Sequence, residues 1–306
     1  MKKTILIFGI SSFVGSNLAE ILKDDFRIVG TYHKTPVDIP GVLCVPCDVL
    51  KKEYVSSLVA LFKPDFTIYA VGMSSLKEAS LKPKMNDALN TTGLVNCCTS
   101  SERHGSKFVF LSSCFVLAGE DTLYREGDIP FPNTALGNAL SSSEFYVQRS
   151  CLNYFILRSA PLYGRAYNPK HPNWFEVVQS SLMKNETIKA DDSVVTGFLD
   201  VHLLGKILKG ALEANITNRL FQISSSNWMT RYEFARLCAS TWKKDENLIQ
   251  RVSGGYPNEQ TSKNKPAPAQ YFFKFDLTNI EDFLGRKMPS VEESLQFTHK
   301  RFSAKN

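Results

Sequence analysis

Thr4-Ile5-Leu6-Ile7-Phe8-Gly9-Ile10-Ser11-Ser12-Phe13-Val14-Gly15 decides the fold. The unbroken apolar run from Ile5 to Phe8 reads as a strand covered on both faces, the situation of a parallel sheet between two layers of helices. Gly9 permits the tight turn at the strand end, and Gly15 lets the following helix lie close against the strand. From Phe13 onward the helix start offers backbone N–H groups that have no partner within the helix, a natural seat for a pyrophosphate. Strand, glycine-flanked turn and helix in this order make a dinucleotide fingerprint, with Gly9, Ser11, Ser12, Phe13, Val14 and Gly15 as its contact residues. Ser12 stands where such turns usually carry a second glycine. Its Cβ would crowd the phosphates, while its hydroxyl offers them a hydrogen bond.

Outward from this unit the alternation continues. Residues 27–32, 42–45, 66–70, 107–112 and 154–158 read as strands, and 14–23, 53–62, 84–103 and 136–151 as the helices between them. The fold expected is therefore α/β, a Rossmann-type doubly wound parallel sheet followed by a smaller C-terminal α/β substrate domain. After Gly164 the regularity loosens into a polar, proline-containing loop at 166–174. We place the division there, 1–165 and 166–306, with some segments of the second part returning to the first. The clearest pieces of that second part are a helix around 231–242 and a loop rich in Lys, Pro and Ala at 261–270.

Composition narrows the function classes. The chain has 306 residues, 43% of them hydrophobic, enough for a large core. Its 36 basic and 30 acidic residues give a net charge of +6, but the basic ones are scattered, so nucleic acid is not the expected partner. Met1-Lys2-Lys3 and the apolar residues 4–10 imitate a secretory leader; no small-residue cleavage site follows, and Ser11 to Gly15 reads as a turn into an amphipathic helix. No apolar run is long enough for a membrane span. Seven cysteines, an odd number, point to reduced thiols and a cytoplasmic protein. Cys44 and Cys47 form a C-x-x-C, but in a strand-like setting without a second pair they read as buried thiols, and no metal site is expected.

The second strand ends Gly30-Thr31-Tyr32-His33-Lys34. No carboxylate is present there to accept the ribose diol of NAD, and His33 and Lys34 are placed to neutralise a 2′-phosphate, so NADP(H) is expected over NAD(H).

Landmarks beyond the fingerprint carry a family resemblance: Cys47-Asp48-Val49, Pro64-Asp65-Phe66-Thr67-Ile68, Asn90-Thr91-Thr92-Gly93-Leu94-Val95-Asn96, Phe110-Leu111-Ser112-Ser113, Tyr124-Arg125-Glu126, Ile156-Leu157-Arg158, Tyr163-Gly164 and Tyr232-Glu233-Phe234-Ala235-Arg236. With these the chain resembles, over nearly its whole length, the extended short-chain dehydrogenase/reductases, most closely the dTDP-4-dehydrorhamnose reductase branch and its nucleotide-sugar epimerase cousins. The resemblance implies hydride transfer between nicotinamide and a sugar carbon. It also implies cofactor contacts at Tyr32, His33, Lys34, Asp48, Val49, Ala70, Val71, Gly72, Asn90 and Pro161. Substrate contacts are implied at Ser75, Tyr163, Asn173, Trp174 and Arg231, and dimerisation through residues 84–103 and 136–151.

In that family a Tyr in Y-x-x-x-K transfers the proton, because residues four apart share a helix face and the Lys ammonium lowers the phenol pKa while holding the nicotinamide ribose. Ser113 matches the Ser/Thr that completes the hydrogen bonding to the substrate oxygen. The rest of the motif is missing: aligning Pro132 to Leu140 on the family stretch puts Leu136 at the Tyr position and Leu140 at the Lys position. No lysine lies between Lys107 and Lys170 to rescue it. Ala267-Pro268-Ala269-Gln270 likewise lacks the basic residue that relatives place nearby for sugar-nucleotide phosphates, unless Lys263 or Lys265 reaches in.

Three readings follow. The first is a catalytically degenerate NADP(H)-binding protein, a sensor or a regulatory subunit for a partner protein. The second is an altered nucleotide-sugar reductase or epimerase in which Tyr124, Tyr163 or Ser113 supplies the proton. The third is a scaffold without nucleotide. His202 reads as a packing histidine, and Cys114, with no His or cation beside it in sequence, as an inert thiol.

Overall fold

β1 (Thr4–Phe8), buried at every residue, sits inside the main sheet, and α1 (Phe13–Leu22) packs its Leu18, Ala19 and Leu22 against it. Around this unit the computed structural model, which describes residues 2–167, 172–254, 256 and 270–303, orders the chain as follows. The first half continues with β2 (Arg27–Tyr32), β3 (Leu43–Pro46), α2 (Lys52–Phe62), β4 (Phe66–Tyr69), α3 (Leu76–Leu81), α4 (Pro83–Asp87), α5 (Gly93–Arg103), β5 (Lys107–Ser113), β6 (Leu123–Tyr124), α6 (Ala135–Ser150), β7 (Tyr154–Ser159) and β8 (Leu162–Tyr163). The second half holds α7 (Trp174–Met183), β9 (Ile188–Asp191), β10 (Val194–Thr196), β11 (Leu199–Asp200), α8 (Val201–Glu213), β12 (Arg219–Ile223), α9 (Arg231–Thr241), β13 (Ile249–Val252), β14 (Tyr271–Phe275), α10 (Thr278–Leu284) and α11 (Val291–Ser303).

The main sheet is a parallel seven-stranded Rossmann-like sheet in the order β12-β7-β5-β4-β1-β2-β3. Strand order reverses between β1 and β4, and at such a switch point the connections diverge to opposite faces and leave a crevice at the carboxyl ends of the strands. Phe8 and Thr31 pair there, and the N–H groups of Gly9 and Ile10 both donate to the Thr31 carbonyl, at 3.1 and 2.8 Å. Its edge strand β12 belongs to the second half of the chain. That half also supplies β10 and β14, which join β6 in a small parallel unit packed on the main core, and the pair β13-β9, which lies on a separate apolar cluster in which Phe198 and Phe234 stack at 4.3 Å.

Two expectations need correction. The helix expected over 84–103 is broken: Pro83 starts the short α4, and a π-helical turn spans Ala88–Thr92 before α5 begins. The wider turn is held by partners from elsewhere in the fold, the Tyr69 hydroxyl donating to the Leu89 carbonyl at 2.5 Å and the Ser143 hydroxyl to the Asn90 carbonyl at 2.5 Å. The cysteines are also not all apart from one another: the sulfurs of Cys98 of α5 and Cys151 at the end of α6, 53 residues apart in sequence, meet where two adjacent helices pack. Cys44 and Cys47 stay free. Among the described residues no helix is long and apolar enough to cross a membrane.

Candidate cofactor and catalytic site

The glycines at the switch point have no room for side chains. Gly9 has φ 88°, and a Cβ on it would lie 2.7 Å from the Ala70 carbonyl oxygen. A Cβ on Gly15 would lie 2.2 Å from the Gly9 carbonyl oxygen, so the helix meets the turn at backbone distance. Ser12 is the N-cap of α1, and its hydroxyl oxygen accepts from the Gly15 N–H at 3.0 Å. That bond makes the Ser12 side chain the cap of the helix, and the N–H groups of Phe13 and Val14, in its first turn, have no partner within the helix. Gly15→Ala is expected to lower the unfolding temperature and the affinity for a nicotinamide cofactor together, since α1 must move off the turn after β1; calorimetry and a fluorescence titration of one preparation check both.

Most of the other implied cofactor residues stand at or just past the carboxyl ends of β2, β3, β4 and β7. Tyr32 is half-buried, with His33 and Lys34 exposed beyond it. Asp48 accepts from the Leu50 N–H at 3.0 Å, and the buried Val49 presents its carbonyl to Asn96 at 3.0 Å. Ala70, Val71 and Gly72 follow β4; Gly72 has φ 151°, and a Cβ on it would lie 2.0 Å from Asn90 Oδ1. Asn90 in turn donates to the Met73 carbonyl at 3.2 Å, so it braces that turn. Pro161 accepts from the Leu199 N–H at 3.0 Å. A backbone-lined cradle, an open helix start and a basic strand end suit a dinucleotide phosphate group.

At the catalytic end, Ser113 closes β5 half-buried, its Oγ donating toward Cys114 Sγ at 3.8 Å and accepting from the Phe115 N–H at 3.5 Å. α6 is pinned against the turn that follows. Thr134 caps it, accepting from the Gly137 N–H at 3.1 Å, and a Cβ on Gly137 would lie 2.1 Å from the Phe115 carbonyl oxygen. Leu136 and Leu140 project from its inner face into the main core, 2% and 7% exposed.

The nominated phenols are engaged elsewhere. Tyr124 is buried, and its oxygen accepts from the Glu120 N–H at 2.8 Å; burial pushes its pKa up. Tyr163 is buried among aromatics, donates to Ser294 at 2.7 Å, and has its pKa raised by burial and then by the Asp200 carboxylate. Cys114 is wholly buried, which pushes its thiol up to about 12. His202 lies in the first turn of α8, where its N–H donates to Asp200.

Of the implied substrate residues, Ser75 caps α3, accepting from the Glu78 N–H at 3.3 Å, and Asn173 caps α7 in a reciprocal capping box with Glu176. Trp174 and Arg231 do meet, the guanidinium lying 5.3 Å from the ring centroid. Tyr163 packs against Phe175 and Phe234 in the second apolar cluster, whereas Tyr124 belongs to the main core.

The RmlD substrate binding domain family matches residues 1–303. The chain belongs to that family. A dTDP-4-dehydrorhamnose reductase of Aggregatibacter actinomycetemcomitans is 26% identical over 303 residues, 95% of this chain and 97% of that one. The methionine adenosyltransferase 2 subunit beta of Rattus norvegicus is 23% identical over 257 residues, 81% of this chain and 75% of its own. Among solved structures, the dTDP-4-dehydrorhamnose reductase of Bacillus anthracis in complex with NADP superposes with a TM-score of 0.81 at 21% identity, covering 100% of both chains.

This RmlD-family chain also gathers residues that sequence reading passed over. Tyr256 reaches the start of α6, its hydroxyl donating to Asn133 Oδ1 at 2.5 Å, its ring 4.1 Å from Tyr271 and 6.3 Å from Phe115. Glu144, one turn beyond Leu140, pairs with Arg158 of β7 at 2.6 Å. An arginine inside an apolar strand was the only signal for the pair; nothing in sequence marks Tyr256. The basic residue sought around Lys263 and Lys265, and the segment 267–269, lie outside the described residues.

Proposed function

We propose that this RmlD-family chain binds NADP(H) and serves as a cofactor sensor or regulatory subunit, without ordinary nucleotide-sugar reduction. The observation that carries this reading is the inner face of α6, where Leu136 and Leu140 are packed into the core at 2% and 7% exposure. Hydrocarbon cannot move a proton, and general acid–base assistance is worth about 10²- to 10⁴-fold in rate. Bound nicotinamide would supply a hydride, and Ser113, at the end of β5, would hydrogen-bond a carbonyl oxygen, but a serine hydroxyl does not replace a tuned phenol. Tyr163 donates its hydroxyl proton to Ser294, and Tyr124 is buried in the main core with its oxygen held by the Glu120 N–H and its pKa pushed up by burial.

For the cofactor, the Phe13 and Val14 N–H groups would hold the pyrophosphate, and His33 with Lys34 the 2′-phosphate. The preference for NADP(H) rests on that strand end alone. The Trp174–Arg231 pair supports a nucleotide-linked sugar as a second ligand, the ring stacking on a base and the guanidinium meeting a phosphate. A relative named as a subunit of another enzyme, at similar identity, supports an accessory role for this fold.

The test pairs binding with turnover. NADPH is expected to bind, with fluorescence change and saturation, and not to be consumed with dTDP-, UDP- or GDP-linked 4-keto sugars. Steady consumption abolished by Tyr124→Phe would establish the altered-enzyme reading instead, and absence of NADPH binding the scaffold reading.

A further inference from the structure

The short segment after β8 is tied in two directions. Toward the second half, the Gly164 carbonyl accepts from Asn173 Nδ2 at 2.7 Å and the Ala166 N–H donates to the Glu176 carboxylate at 2.8 Å, so both ties run to the capping box that starts α7. Toward the first half, Asn17 of α1 donates from Nδ2 to the Arg165 carbonyl at 3.0 Å. The Tyr167 hydroxyl then donates to the Asp38 carbonyl at 2.6 Å, a bond between residues 129 apart in sequence.

Asp38 lies in the connection between β2 and β3, the loop whose first two residues are His33 and Lys34. That loop has little freedom. Pro36 and Pro40 hold their φ near the proline value, Ile39 is buried to 1% exposure, and the Val42 N–H donates to the Ile39 carbonyl at 3.0 Å. With the far end held by Ile39 and the near end by β2, the place of the Asp38 carbonyl decides how the intervening residues 33–37 run. Among the described residues no side-chain hydrogen bond fixes His33 or Lys34 to a neighbouring element; their placement follows the loop.

We infer that Tyr167 is a positioning residue for the basic end of β2: by holding the Asp38 carbonyl it keeps His33 and Lys34 where a cofactor 2′-phosphate would lie. This rests on the NADP(H) reading and adds to it a contribution from the strap that leads into the second half. Tyr167 itself touches no phosphate. A purely structural role for its ring would affect both cofactors alike, whereas positioning of the basic pair affects only the one that carries the extra phosphate.

The experiment measures dissociation constants for NADPH and NADH, by fluorescence titration, on the full chain, Tyr167→Phe and Lys34→Ala. Tyr167→Phe keeps the ring and removes only the donor. Its expected effect is a rise in the NADPH constant of about three- to tenfold, the range one net hydrogen bond supplies, with the NADH constant changed by less than about twofold. Equal weakening of both cofactors, or no weakening of either, overturns the inference. If the full chain does not prefer NADPH and Lys34→Ala changes nothing, the NADP(H) reading itself falls. Selective loss in Lys34→Ala with none in Tyr167→Phe removes the positioning role alone.

Discussion

The double substitution Leu136→Tyr/Leu140→Lys is expected to raise NADPH-dependent reduction of a 4-keto nucleotide sugar by about 10²- to 10⁴-fold over the unsubstituted chain. The two positions are four apart, so their side chains leave α6 on one face one turn apart, and an ammonium there lowers the pKa of the phenol beside it. The scaffold that must aim them is intact. Thr134 caps the helix, Gly137 seats it against the Phe115 carbonyl, and Ser113 stands at the end of β5. Introducing larger side chains into a packed layer costs about 1–3 kcal/mol each, so the double variant is expected to melt at lower temperature while remaining folded. Leu136→Tyr alone should give a smaller gain, because a phenol with a pKa of about 10 is a workable acid for reduction but lacks the ribose anchor. A folded double variant that binds NADPH and reduces the sugar no faster than the parent would place the deficiency elsewhere in the site.

The parts legible in sequence were those set by local chemistry. An apolar run ending in Gly9, with Gly15 six residues on, specifies a turn and a helix start without help from the rest of the chain, and the absence of a carboxylate after Tyr32 is equally local. What escaped depended on contacts between distant residues. Ser12 was read only for what its Cβ or hydroxyl would do to a phosphate, and its bond from the Gly15 N–H, as the cap of α1, was not foreseen. Tyr163 looked available in sequence, but its hydroxyl is claimed by Ser294, 131 residues away. The helix expected over 84–103 carried its own warning in Pro83; the π turn beyond it did not, since its carbonyls are held by Tyr69 and Ser143 from other elements. Strands of two to five residues, such as β8, β11 and β12, carry too little periodicity to be placed, and β12 joins the main sheet only because its Arg219–Ile223 register matches Phe155–Ser159.

Arg158→Met is expected to cost about 3–5 kcal/mol of unfolding free energy, read from a urea or guanidinium transition, whereas Glu144→Leu/Arg158→Met together should recover most of that loss. Arg158 and Glu144 are 1% and 2% exposed. Their contact is bidentate, Nε to Oε1 at 3.1 Å and Nη2 to Oε2 at 2.6 Å, and the Ser112 hydroxyl donates to Oε1 at 2.5 Å. Ser112, Arg158 and Gln222 stand in register on β5, β7 and β12, so they share one sheet face, and the carboxylate comes down onto it from α6. Removing the arginine alone leaves a carboxylate out of water with a single hydroxyl for company; removing both charges leaves an apolar contact of similar shape. The pair therefore works less as a source of net stability than as a register pin, fixing how α6 lies along the strands that end in Ser113. Because Leu136 and Leu140 ride on the same helix, a pin at Glu144 also fixes how that pair seats in the core. NADPH affinity should fall in Arg158→Met by more than its stability loss alone produces at low temperature. A single variant that costs less than about 1 kcal/mol, the range of exposed ion pairs, would mean α6 is held by its apolar face and caps, with the ion pair incidental.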